Sequence, residues 1–383
     1  MKTTTKIAGS AIVIAAAGTA AEVITSPAKK TTMIFNDGQD APKKDTLPPA
    51  STTATSGKRL TVMQQQKLLD PPPFSVTSTK SLVFDAPFGE GEDRHTGVRA
   101  ASALVKLGQS FVIAQDDSNF AAVWTKDGIQ PLRMFSGEHG DTFSPARGNK
   151  KHKPDIELGA SFVVDGKDAA VMFGSGSTDQ RTRAAWIVEG PSGHTVKTAD
   201  LKSLYDAAIQ RIGIAASSLN LEASAAVGDR VVFFQRGNGE GAVNASFSVS
   251  QKILESALLN GTTIKSSDLR EVRKHQLGDL DGCGLGFSDA APLPDGRILF
   301  LAAAEASPNT YDDGAVAGSV IGILDHDGAA TVLHRVPDGP DGPYKLEGLA
   351  IDRVEGNVVH LRAVEDADTP SKPSTALELR LVL

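Results

Sequence analysis

Ile156–Ser177 reads IELGASFVVDGKDAAVMFGSGS. Two apolar runs of strand length flank the turn Asp165-Gly166, and polar residues stand at both ends. That is the signature of a β-hairpin. The same layout returns in Leu219–Asn238 (LNLEASAAVGDRVVFFQRGN), Phe287–Ser307 (FSDAAPLPDGRILFLAAAEAS) and Leu346–Asp366 (LEGLAIDRVEGNVVHLRAVED). A fifth copy, Val98–Ser118, reads VRAASALVKLGQSFVIAQDDS. Aligned on Arg99, Glu157, Glu222, Asp289 and Glu347, the copies start 58, 65, 67 and 58 residues apart. A recurring period of this kind is the mark of a repeat architecture.

Further strands follow each hairpin. Ala184–Val188 and a run near His194–Thr198 follow the second copy. Ser319–Leu324 and Ala330–Arg335 follow the fourth, joined by the turn Asp325-His326-Asp327-Gly328. About four strands per unit make a propeller blade, and the spacing predicts an all-β, single β-propeller of five blades. The last unit shows three strands (Leu346–Ile351, Val358–Val364, Ala376–Leu383). An N-terminal strand, Leu60–Leu69 or Ser81–Asp85, is expected to complete it and close the ring. Six blades is the alternative, if residues 58–95 build one of their own. A pair of β-sandwiches would not explain one register repeated five times, and the turn-rich strands exclude a helical solenoid. One helix is expected where Leu201, Leu204, Tyr205, Ala208, Ile209 and Ile212 fall at helical spacing, with Asp200 as cap and Gly213 as stop. A second, short one is expected near Gln251–Leu259.

The composition agrees with this reading and narrows the function. The chain has 383 residues, 37 of them Gly, with 5% aromatics. Its net charge is −7, which disfavours nucleic acid as a partner. The single cysteine, Cys283, excludes a disulfide framework and a multi-cysteine zinc site. Residues 1–21 carry Lys2 and Lys6, then the apolar run Ile7–Ala17, then small residues: the layout of a secretory signal, too short for a transmembrane span. Its removal would take the charge to −9. Residues 22–57, rich in Ser, Thr, Pro and Lys, read as a disordered tether, and residues 58–383 as the propeller. The expected location is therefore periplasmic or secreted, or cytoplasmic if the N-terminus is not a signal. A monomer is expected.

In a propeller the innermost strands line a central channel. Glu157, Glu222, Asp289 and Glu347 share a repeat position, so they are expected to converge there. At roughly 6 Å and an effective dielectric near 20, each carboxylate pair costs on the order of 3 kcal/mol. A bound cation, a shared proton or nearby Lys and Arg must relieve that. Ca²⁺ takes six to eight oxygens, which such a ring could supply, with Asp155 and Asn220 adding more from the same strand faces. These four acids are thus candidate metal ligands and catalytic groups. The competing reading is structural: acids at this position accept backbone N–H groups of the next blade and fasten the ring. The second-strand ends give another ring of Asp116, Asp117, Ser175, Ser177, Gln235, Arg236, Glu305, Glu365 and Asp366. Arg236, Lys345, Lys153 and Asn220 are the candidate substrate-binding residues, the three cations serving equally as internal counter-charges. Tyr311-Asp312-Asp313-Gly314 reads as a turn, and Trp124 and Trp186 as blade core. There is no P-loop, HExxH or GxSxG. Asp279-Leu280-Asp281-Gly282 lacks EF-hand spacing, and Gly282-Cys283-Gly284 is not placed as a dinucleotide loop.

Several stretches together resemble one family. They are Lys153-Pro154-Asp155-Ile156-Glu157 with Gly174-Ser175-Gly176-Ser177, and Leu219-Asn220-Leu221-Glu222 with Gln235-Arg236-Gly237-Asn238-Gly239. Tyr311 to Ser319 (YDDGAVAGS) and Lys345-Leu346-Glu347-Gly348 complete the set. Over about residues 60–383 they resemble an uncharacterised bacterial propeller family, a domain of unknown function. The Glu-Gly strand start is also distantly similar to phytase-like esterase and gluconolactonase propellers. That similarity implies acidic channel residues, often with calcium, and a hydrolase of an ester, lactone or phosphate ester. A non-catalytic exported propeller binding a small ligand or a protein is the first alternative, and a glycosidase the second.

Overall fold

The computed structural model describes residues 73–89, 92–191, 193–237, 243–305, 314–366 and 372–383. The expected signal and tether, Leu60–Leu69, Asn238-Gly239 and Tyr311–Asp313 lie outside these residues. Packing divides the chain into Met1–Lys58 and Arg59–Leu383, and all described residues belong to the second unit.

Among the described residues, twenty-one strands form five antiparallel sheets. The first blade holds β2 (Ala101–Leu107), β3 (Ser110–Gln115), β4 (Phe120–Thr125) and β5 (Gly128–Arg133). The second holds β6 (Ile156–Val164), β7 (Lys167–Gly174), β8 (Arg183–Gly190) and β9 (Gly193–Asp200). The third holds β10 (Leu221–Val227), β11 (Arg230–Gln235), β12 (Asn244–Ser250) and β13 (Arg270–His275). The fourth holds β15 (Cys283–Pro292), β16 (Ile298–Glu305), β17 (Val316–Leu324) and β18 (Ala330–Arg335), with the two-residue β14 (Asp279–Leu280) added beside β15. The fifth holds β19 (Leu346–Glu355), β20 (Val358–Glu365) and β21 (Thr375–Val382), and its outer strand is β1 (Phe74–Ser81) from the other end of the chain.

The ring is therefore a five-bladed propeller closed by an N-terminal strand. That strand is neither of the two stretches expected for it. The sequence FSVTSTKS is polar on its exposed side and buries only its beginning against β21, as an edge strand does. Each inner strand touches its neighbours in the order β2, β6, β10, β15, β19 and back to β2. The core follows the same geometry. Five separate apolar clusters form, one in each seam between adjacent blades.

Small residues are required where inner strands press together. A Cβ on Gly159 would lie 2.5 Å from Val105 Cγ2 of the first blade, and one on Gly348 3.0 Å from the Leu104 backbone. Asp165 and Gly166 both take left-handed backbone, φ 53° and 68°, as a type I′ hairpin turn needs. The two expected helices are α1 (Lys202–Ile212), stopped by left-handed Gly213, and α2 (Gln251–Asn260). The apolar faces of both join the seam between the second and third blades.

Candidate functional site

A β-bulge sets the site. In every blade the pairing of the two innermost strands slips by one residue near the channel mouth: at Ser102, Glu157, Glu222, Ser288 and Glu347. An extra residue at such a slip re-aims its side chain. The slip, rather than the sequence alignment, defines equivalence around the ring. Glu157, Glu222 and Glu347 are equivalent, as expected. Asp289 stands one residue past its position, which Ser288 occupies, and Arg99 stands three residues before Ser102. The ring is three glutamates and two serines. A hydrogen bond repeated in four blades fixes the same alignment: the amides of Asp116, Ser175, Arg236 and Asp366 donate to the carbonyls of Ala100, Asp155, Asn220 and Lys345.

The two serines fasten blades. Ser102 Oγ donates to the Ile156 carbonyl at 2.5 Å, and Ser288 Oγ to the Leu346 carbonyl at 2.7 Å. Each bonds the residue just before a ring glutamate of the next blade. Asp289 fastens too. It is 1% exposed, and its carboxylate accepts the amides of Ala290 at 2.8 Å and of Leu349, in the fifth blade, at 2.6 Å. Burial raises its pKa well above the usual value, against the pull of these amides and that of Leu104 in the first blade. Asp289 thus ties three blades together, and the pairing slip puts Ser288 rather than Asp289 at the ring position.

Above this layer, seven carboxylates (Asp116, Asp155, Glu157, Glu222, Glu305, Glu347, Asp366) meet four cations (Lys153, Arg181, Arg236, Lys345). The carboxyls outnumber the cations by three. On one side Arg236 reaches Glu305 at 2.7 Å, Glu347 at 3.4 Å and Glu222 at 3.7 Å. Lys345 lies 3.3 Å from Glu347 and 3.8 Å from Asp366. Arg236 can lie there because Gly286, two residues before Ser288, has no side chain: a Cβ would meet Arg236 Cγ at 2.7 Å. Burial works against the Arg236 charge, but the glutamates outweigh it and raise its pKa. Asn220 donates to Glu222 at 2.5 Å. Arg236, Lys345 and Asn220, expected to hold substrate, are thus engaged with the protein's own carboxylates.

The other side is built differently. Lys153 bonds both Asp116 and Asp155, the latter at 2.6 Å, and Arg181 lies 2.8 Å from Asp155. Ser175 Oγ also donates to Asp155 at 2.5 Å. Burial raises the Asp155 pKa, and these cations more than reverse it, so the net shift is downward. Glu157 is 9% exposed and makes no hydrogen bond or ion pair among the described residues. One oxygen each of Asp116, Asp155 and Glu157 lies within 4.8 Å of the others, a buried acidic triad that could hold a metal ion. Burial pushes the Glu157 pKa well up, and Glu222, Asp155 and Asp116 add to it. Burial likewise lifts Glu222 to about 8, with Arg236 opposing and Glu347 and Asp155 reinforcing the rise.

The structure therefore brings Glu157 together with Asp116 and Asp155, and gives Glu222 and Glu347 to Arg236. Arg181 was not legible as a site residue, since it sits in a short 3₁₀ turn (Asp179–Arg181) outside the repeat pattern. Ser102 and Ser288 were hidden by the slip.

Fold and site define a five-bladed propeller with an acidic, cation-braced cup at one mouth. The chain belongs to a family of unknown function, DUF6929, whose model matches residues 97–381. No curated protein matches it. Among solved structures it is similar to glutaminyl cyclase from Myxococcus xanthus, at 12% identity over 81% of this chain and 97% of that one, with a TM-score of 0.41. A mannose phosphorylase from Leishmania mexicana, solved with phosphate, shares 12% identity over 82% and 92% of the chains, with a TM-score of 0.40. A protein of unknown function from Dyadobacter fermentans shares 13% over 82% and 100%, with a TM-score of 0.35. No activity is carried over from them.

Proposed function

We propose that the cup is a cation-assisted hydrolytic site for a small ester, lactone or phosphate ester. The observation that carries this reading is Glu157, 9% exposed and with no hydrogen bond or ion pair among the described residues, beside Asp116 and Asp155. Burying such a charge is costly unless it is neutralised by a proton or a cation. The donor set is all oxygen, which suits a hard cation such as Ca²⁺. The carboxylates at the mouth outnumber the cations there, which favours one further. Lys153 already shares Asp116 and Asp155, so a bound ion draws mainly on Glu157 and on solvent to fill its coordination. When bound, it supplies polarisation of a substrate oxygen. Before an ion binds, burial holds the Glu222 pKa at about 8, so it is a carboxyl of the cup that carries a proton at neutral pH and can give it up.

The second reading is a binding propeller without turnover. It is favoured by the engagement of Arg236, Lys345 and Lys153, each with two or more carboxylates, which leaves them committed to internal pairing.

Calcium titration followed by thermal melting separates these readings. A saturable rise in Tm in wild type, lost in Glu157→Gln and kept in Ser288→Ala, establishes the cation site. Ester, lactone and phosphate-ester substrates are then assayed with and without calcium. Turnover that Glu157→Gln abolishes supports hydrolysis, and a Tm rise with no turnover selects the binding reading. An unchanged Tm with calcium, magnesium and manganese alike overturns the cation site.

A further inference from the structure

A second cavity lies at the other end of the strands. Its walls include Gln109 and Lys126–Gly128, in the hairpin turns of the first blade, whereas the cup is built at the starts of the inner strands. It is a cleft of about 630 Å³ in the seam between the first and fifth blades, within the range of small-molecule sites.

The two sides of this cleft differ in how far their polar groups are satisfied. Three of the four acids on its wall have closer partners, and the fourth, Glu378, faces Arg362 at 4.0 Å. Asp85 accepts the Ile129 amide at 2.6 Å, Asp127 lies 3.6 Å from Lys126, and Asp352 lies 3.3 Å from Arg353. Of its three cations, Lys80 and Arg362 make no ion pair closer than 4.0 Å among the described residues. Lys80 has no carboxylate partner among the described residues; its ammonium stands 5.8 Å from the centre of the Trp124 ring. Arg362 lies over the same ring at 4.4 Å and over Phe111 at 4.6 Å. Its closest carboxylate, Glu378, is 4.0 Å away, beyond hydrogen-bond reach, and its Nε is buried without an acceptor. That Nε is shut away from the cleft, so a ligand would meet the terminal guanidinium nitrogens, whose one carboxylate contact among the described residues is the long one to Glu378. The Phe111 and Trp124 rings hold the guanidinium plane in place, and an oriented fork of donors suits a planar carboxylate or a phosphate.

We propose that this seam binds a small organic oxyanion, with its carboxylate or phosphate group taken by Arg362 and Lys80 beside Trp124. The site rests on different residues from the cup and does not depend on the reading given to the cup. A bound anion would join β20 of the last blade and β1, the strand that closes the ring, to the first blade.

The chain has two tryptophans, and the other, Trp186, is buried in the seam between the second and third blades, so Trp124 is a local reporter. Intrinsic fluorescence of the full chain is titrated with glucose 6-phosphate, with gluconate, and with glucose as the neutral control. The expected result is a saturable change with one or both anions and none with glucose. It is expected to weaken at least tenfold in Arg362→Met and at least threefold in Lys80→Met. Which anion binds tighter tells phosphate from carboxylate recognition. Lys80 is exposed, so its replacement reads the site even if the Arg362 variant does not fold. No saturable change with either anion, a change of equal size with glucose, or wild-type affinity in Lys80→Met together with Arg362→Met overturns the proposal.

Discussion

Glu222→Gln tests the electrostatics of the cup most directly. The folded protein holds the Glu222 pKa at about 8, against an ordinary value of 4.5, chiefly through burial. A carboxyl whose pKa is raised on folding stabilises the fold in its protonated form. That stabilisation is fully present below the unfolded pKa and is lost as pH rises through the folded one. The shift of about 3.5 units is worth about 5 kcal/mol in all, and between pH 5 and pH 9 the loss is about 4 kcal/mol. Glutamine keeps the size of the protonated acid and cannot ionise, so the variant lacks this loss. The roughly 325 residues of Arg59–Leu383 have an unfolding entropy near 0.7 kcal/mol/K, so the difference is about 6 °C in Tm. The assay is thermal melting of wild type and Glu222→Gln from pH 5 to pH 9, with a chelator present to keep divalent cations out. Wild type is expected to lose about 6 °C more than the variant across that range. The order of stability should also change, the variant being the more stable at pH 9. Parallel curves would refute the reasoning, and would mean that Arg236 at 3.7 Å keeps Glu222 ionised throughout.

The fastening groups make two further predictions. Ser102→Ala and Ser288→Ala each remove a buried hydroxyl from a carbonyl of the next blade, so each is expected to cost about 1–2 kcal/mol in urea unfolding, additively because they serve different seams. Asp289→Asn puts an amide NH₂ where both carboxylate oxygens now accept backbone N–H groups; it is expected to cost at least about 2 kcal/mol with no effect on any calcium response.

The fold was legible in the sequence because its signals are local. The Asp165-Gly166 turn, the alternation on either side of it and the recurrence of that unit reflect the period-two geometry of strands and the φ demands of a tight hairpin. The helix at Leu201–Ile212 was legible for the same reason, through its 3.6-residue stripe and its Gly213 stop. The closing strand was not, because an edge strand buries one face of one end. Phe74 packs inside while Thr77–Ser81 are exposed, and that pattern looks like a polar linker.

The site was half legible, and the reason lies in the bulge. Side-chain direction on a strand reverses with every residue, so one inserted residue decides which side chain reaches the channel. Aligning acids with acids placed Asp289 beside Glu157, Glu222 and Glu347. The pairing slip instead puts Ser288 there and turns Asp289 onto the backbone of the neighbouring blades. The error is informative, since the two carboxylate environments demand opposite chemistry. Asp289 is ringed by amide donors and holds the blades together. Glu157 accepts no hydrogen bond among the described residues; Lys153 draws on it only at longer range, and its companions in the triad are two more carboxylates. The protein satisfies Asp155 four ways, through Lys153, Arg181 and the hydroxyls of Ser175 and Ser177, yet gives its neighbour Glu157 no hydrogen bond among the described residues. That is where a proton, a cation or a substrate group is gained or lost at least cost, and it is the place where the cup is expected to act.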